Sequence, residues 1–177
     1  MPARKFLTYR LPTFCGLKAM KLPFLTTGTV LAHCDVPCGI YDPSTAQIAA
    51  MSTARFLDLI AELGTPDSAE SMARLSRLTS EKEQHAAEVK AAVVVIWGDY
   101  FKDPQIEQIP DVHNLVHSIM RKASACKQEI TQSNGPELVD LVNQFAAAFW
   151  TTKGVETRSV TAPYAPALPM VIPALDS

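Results

Sequence analysis

Charge of one sign is scarce in this chain. Its 16 lysines and arginines against 18 acids leave a formal charge of −2, which makes no general electrostatic case for nucleic acid as a partner. No apolar run reaches the roughly 18 residues that a membrane-crossing helix needs, so no membrane partner is expected. Four cysteines in 177 residues are too few for a disulfide scaffold. No β-type alternation and no internal repeat is visible, which excludes strand-rich folds and solenoids. Acidic residues are missing altogether before Asp35, whereas Arg4, Lys5, Arg10, Lys18 and Lys21 precede it. Such a basic, acid-poor start has the composition of a targeting peptide or pro-segment. Residues 22–32, LPFLTTGTVLA, are moderately apolar and carry Val30 and Ala32, small residues of the kind that processing enzymes accept. Residues 1–32 are therefore expected to be removed. Their composition suits a plastid or mitochondrial address, or an export signal, as well as a short cytoplasmic pro-peptide.

What is present reads as helix. Asp42 and Pro43 suit an N-cap and a first helical position, and Ile48, Met51, Leu59 and Leu63 follow with helical spacing until Gly64 and Pro66. A second segment starts near Asp67, with a further start signal at Ser80 in the capping-box pattern SEKE. Its apolar face runs through Leu75, Leu78, Val89, Val93, Ile96 and Trp97 to a break at Asp103-Pro104. Pro110 opens a third, with Val112, Leu115, Val116, Ile119, Cys126 and Ile130 on its stripe. After a turn at SNGP, 133–136, the fourth carries Leu138, Leu141, Val142, Phe145 and Phe149 to about Lys153. Four amphipathic helices joined by short loops predict an all-α fold, an antiparallel four-helix bundle. Residues 154–177, with four prolines in the last 21 residues and no helical period, are expected as a flexible tail.

The chemistry is concentrated in residues 31–43, LAHCDVPCGIYDP. Pro37 disfavours helix at Val36, and Gly39 permits a tight turn after the second cysteine. The segment is expected to form a hook that turns Cys34 and Cys38 inward beside His33. Two thiolates and an imidazole can share a metal ion; soft sulfur donors favour zinc, copper(I) or iron–sulfur clusters, and mixed sulfur and nitrogen donors also suit nickel. The same pair could instead form a redox disulfide. Zinc needs a fourth donor, and His85, His113 and His117 on the helices do not identify themselves as one. A cut between Ala32 and His33 supplies the missing donor from within the hook. The freed α-amine, the Cys34 amide nitrogen and two sulfurs form an N2S2 set, which suits nickel(II) in a plane, with the His33 imidazole left for an axial position.

HCDVPCGIY, residues 33–41, resembles the nickel-binding hook of nickel-containing superoxide dismutases at every fixed position of that motif. WGDYFK, 97–102, is similar to the second-helix segment of the same family, and Phe149-Trp150 to its closing pair. The resemblance covers about residues 33–153. It implies disproportionation of superoxide to oxygen and hydrogen peroxide at one nickel ion per subunit, held by His33, Cys34 and Cys38. It further implies catalytic roles for Tyr41 and Tyr100 at the mouth of the site, with Asp35 and Pro37 shaping the hook. A homohexamer and a protease acting before His33 are implied as partners. The resemblance breaks where some members orient the histidine through a glutamate held by an arginine: Ala49 and His85 stand there. Superoxide is an anion, so cations near the site are expected to speed its arrival, with Arg77, Lys90, Lys102 and Lys127 as candidates. The competing readings are a nickel or zinc binding protein and a thiol redox sensor using Cys34 and Cys38.

Overall fold

The computed structural model describes residues 39–175. Helix α1 spans Ser44–Leu63, α2 Ala69–Val95, α3 Asp103–Gln108, α4 Val112–Gln128 and α5 Asn134–Thr152. Two strands follow, β1 Thr157–Thr161 and β2 Pro169–Pro173. The protein is mostly helical, with one small antiparallel sheet. The four long helices pack in the cyclic order α1–α2–α4–α5. Their shared core holds Leu57, Val89, Val93, Ile119, Leu138, Val142, Phe145 and Phe149, all fully buried. Each such side chain contributes about 1.5–3 kcal/mol through removal from water.

Local chemistry explains the boundaries. The Asp42 carboxylate accepts from the Ser44 N–H at 2.7 Å, satisfying an orphan donor at the start of α1. Gly64, at φ +67, ends that helix in a conformation that few side-chain-bearing residues adopt. Ser68 caps α2 reciprocally with Ser71, and the helix then runs unbroken through Ser80. The start signal at Ser80 is overridden because the apolar stripe continues on the same face. SNGP is no simple turn: Asn134, Gly135 and Pro136 form the first turn of α5. Gly135 allows that turn to sit against α1, since a Cβ there would lie 2.7 Å from the Ala54 Cα.

Some expected core positions are not core. Ile48 and Ile130 are exposed, and Leu75 and Leu78 are only half-buried. The first turns of α2 meet little of the other helices, and Ile130 lies past the end of α4. Lys82 is the reverse case, a fully buried lysine whose Nζ donates to the carbonyls of Lys127 at 3.0 Å and Glu129 at 2.8 Å. It closes the C-terminus of α4 from a neighbouring helix, where carbonyls lack partners and the helix dipole favours a cation.

The expectation of a flexible tail over 154–177 is corrected. Residues 157–173 fold back as a hairpin, with Ser159 opposite Val171 in the register. Side-chain amides dock it. Gln47 donates to Asn143 Oδ1 at 2.9 Å and to the Val171 carbonyl at 2.7 Å. Asn143 donates to the Pro169 carbonyl at 2.8 Å and accepts from the Val171 N–H at 3.1 Å. The two amides are buried, and their mutual bonds and those to β2 offset the cost of desolvating them.

Candidate metal centre

Helix α2 ends in a single π-helical turn, Ile96–Tyr100, closed by the Phe101 N–H donating to the Ile96 carbonyl at 3.3 Å. The extra residue in such a turn re-aims the side chains after it. Phe101 is buried in the core, while Tyr100 remains half-buried at its edge. The Tyr100 ring packs on Phe149 with centroids 4.8 Å apart, on Phe101 at 5.4 Å and on Tyr41 at 5.8 Å. Its hydroxyl lies 2.8 Å from Thr152 Oγ1. That threonine hydroxyl donates to the Phe149 carbonyl at 2.7 Å, so the bond leaves Tyr100 as the donor to Thr152. Ring and hydroxyl are thus both fixed from α5. Tyr41 packs against the same core edge, just before α1.

Thr152 and Lys153 of this cluster were not among the sequence candidates. Lys153, at the end of α5, holds its Nζ 4.4 Å from the centre of the Tyr100 ring, within cation–π range. The helical register contains the signal, because positions 149 and 153 lie on one face, four residues apart. The expected cations are engaged elsewhere or stand exposed. Lys90 Nζ donates to Ser124 Oγ at 2.6 Å and Lys102 Nζ to the Gly98 carbonyl at 2.7 Å. Arg77 is exposed and Lys127 half-buried.

His33, Cys34 and Cys38, with Asp35 and Pro37, lie outside the described residues. Among the described residues no group of three His, Cys, Asp or Glu side chains could hold a metal ion. The histidines there have other partners or face outward. His85 stacks on Phe56 at 5.6 Å and meets Glu88 at 2.9 Å, His113 accepts from Trp97 Nε1 at 3.0 Å, and His117 is exposed. Cys126 is buried and donates to the Asn134 carbonyl at 3.4 Å. Burial pushes its thiol up to about 11. Ala49 is packed in the core and offers no carboxylate to orient an imidazole. The expected donors at 33–38 are therefore neither joined nor replaced by a donor set among the described residues.

Comparison with known proteins identifies the family. The family model of nickel-containing superoxide dismutase matches residues 28–153. The chain is 38% identical over 125 residues to the nickel superoxide dismutase of Streptomyces coelicolor, covering 71% of this chain and 91% of that protein. To that of Streptomyces seoulensis it is 36% identical over 124 residues, covering 70% and 90%. A solved native nickel superoxide dismutase is similar at 37% identity with a TM-score of 0.61, covering 69% of this chain and 99% of that one. A structure whose nickel ligation corresponds to the oxidised state is similar at 36% identity and a TM-score of 0.61. The chain belongs to the nickel-containing superoxide dismutase family. It is an oxidoreductase of that family, with nickel as its metal and superoxide as its substrate.

Proposed function

We propose that residues 33–153 work as an antiparallel four-helix bundle whose N-terminal hook holds the nickel through His33, Cys34 and Cys38. The donor chemistry fits: two thiolates, an imidazole and, after cleavage before His33, an α-amine and an amide nitrogen suit nickel better than a hard cation. Nickel bound there supplies a one-electron couple between Ni(II) and Ni(III), which anionic sulfur donors bring within range of superoxide. Two superoxide ions and two protons then give one oxygen and one hydrogen peroxide.

The rest is work for this chain's own side chains. Tyr41 lies three residues after Cys38, and three residues of chain span at most about 11 Å. Tyr41 and Tyr100 form the mouth of the site, where a Tyr41 hydroxyl can hold an incoming anion or water. Tyr100 serves as the wall, since its hydroxyl is already given to Thr152. Lys153 places a positive charge at that mouth. The packing of Tyr41 on Tyr100 carries this reading, because it joins the last residue of the hook motif to the end of α2. Removal of residues 1–32 and assembly as a homohexamer belong to the same proposal.

The test is mass spectrometry of protein purified from its source, native and denatured, with superoxide consumption followed by stopped flow. A chain beginning at His33 with one nickel per subunit, in a hexamer that consumes superoxide, is the expected result. Cys34→Ser and Cys38→Ser should each lose nickel and activity while keeping their helical circular dichroism. A chain that retains residues before His33, with zinc or a Cys34–Cys38 disulfide, would overturn the hook chemistry in favour of a carrier or a thiol sensor.

A further inference from the structure

The C-terminal hairpin lies beyond residue 153, where the match to the family model stops. Its two edges are treated in opposite ways. The Val171 N–H is given to Asn143, so Val171 and Ser159 are a pair that does not share ladder bonds. The bonds Ala162 N–H to the Leu168 carbonyl, 3.0 Å, and Ala174 N–H to the Glu156 carbonyl, 2.7 Å, confirm that parity. The backbone groups of residues 169, 171 and 173 therefore point away from β1, and those of 157, 159 and 161 point away from β2.

On β2 that outer edge is closed. Residues 169 and 173 are prolines without an N–H, and Val171 is bonded on both its N–H and its carbonyl by Asn143 and Gln47. On β1 the outer positions are Thr157, Ser159 and Thr161, all exposed. Among the described residues none of their outward N–H and C=O groups meets a partner. Natural sheets protect such edges with proline, charge or a covering element. Here two of those devices guard β2, and β1 keeps only Arg158.

We propose that the outer edge of β1 pairs antiparallel with the same strand of a second copy of this chain, about a two-fold axis at Ser159. The five-residue sequence Thr-Arg-Ser-Val-Thr has threonine at both ends and serine at its centre. The pairing sets Ser159 against the partner's Ser159 and Thr157 against the partner's Thr161, a favourable cross-strand pair. Arg158 falls opposite the partner's Val160, so the two arginines do not face each other. About six backbone hydrogen bonds form, joining two hairpins into a four-stranded sheet. This contact is independent of the redox chemistry and of any assembly made through the helices.

Cysteine cross-linking of the full-length chain reads the register directly. Ser159→Cys should give a disulfide-linked dimer under mild oxidation, since paired Cα atoms of about 5.5 Å are within bridging range. Thr157→Cys alone should not, because its opposite number is position 161. The double change Thr157→Cys, Thr161→Cys should link again. Wild-type protein supplies the background from the natural cysteines. Ser159→Pro removes only an outward N–H and spares the hairpin's own ladder. It should abolish the pairing seen by native mass spectrometry, with activity and thermal midpoint unchanged. No link at 159, equal linking at 157 and 159, or a native mass unaffected by Ser159→Pro would overturn the proposal.

Discussion

Lys82 and Cys126 show how single polar atoms are settled inside this core. Lys82 spans from α2 to the C-terminal end of α4, and burial lowers its proton affinity, with Glu83 and Cys126 pulling the other way. Lys82→Ala would leave the carbonyls of Lys127 and Glu129 without their donor and open a cavity at the stem. A loss of about 2–4 kcal/mol is expected from urea unfolding, with an unchanged slope. Cys126 is the opposite kind of group, a thiol treated as a small hydrophobe. With burial pushing its pKa to about 11, it should resist iodoacetamide at pH near 8 in the folded protein. Peptide mapping should find it modified only after denaturation.

At the scale of elements, α4 and α5 are tied by Lys122. Its Nζ donates to Glu137 at 2.6 Å and to Asn134 Oδ1 at 3.0 Å, both in the first turns of α5. The hydrogen bond and charge of Lys122 hold the Glu137 carboxyl below its usual range. Protonation then favours the unfolded chain. The tie is fully present above the ordinary glutamate value of about 4.5 and is lost as pH falls through the lowered one. Thermal midpoints measured by circular dichroism should drop on acidification below that pH, and Lys122→Met should flatten the drop. Glu88, lowered chiefly by its bond from Gln84, contributes with the same sign and should persist in that variant. Helices of this kind are legible from period alone, because an amphipathic stripe over 17–27 residues outweighs single start signals such as Ser80. The hairpin was not legible. Its strands are five residues each, too short to show alternation, and its four neighbouring prolines read as breakers until the ladder puts Pro169 and Pro173 on an outer edge.

Across the whole molecule, the proposed mouth at the tyrosine pair makes the field there matter for an anionic substrate. Lys153→Gln should lower kcat/KM several-fold and flatten its dependence on ionic strength, whereas Lys153→Arg should keep both. Lys90→Gln, whose amine is committed to Ser124, should leave the salt slope unchanged. A purely structural role for Lys153 would move the thermal midpoint and not that slope.

By itself the sequence determined the helical class and the family, and it singled out the proposed donors, for one reason. All are local: a period repeats within a few turns, and His33, Cys34 and Cys38 stand within six residues of one another. Tertiary structure alone decided what depends on distant parts of the chain meeting. Tyr100 is fixed by Thr152 and faced by Lys153, Lys82 closes a helix it does not belong to, and Gln47 and Asn143 seal β2. No short-range rule reaches across 28 to 124 residues, because such contacts are set by how apolar faces pack and by which side of a strand a backbone N–H points.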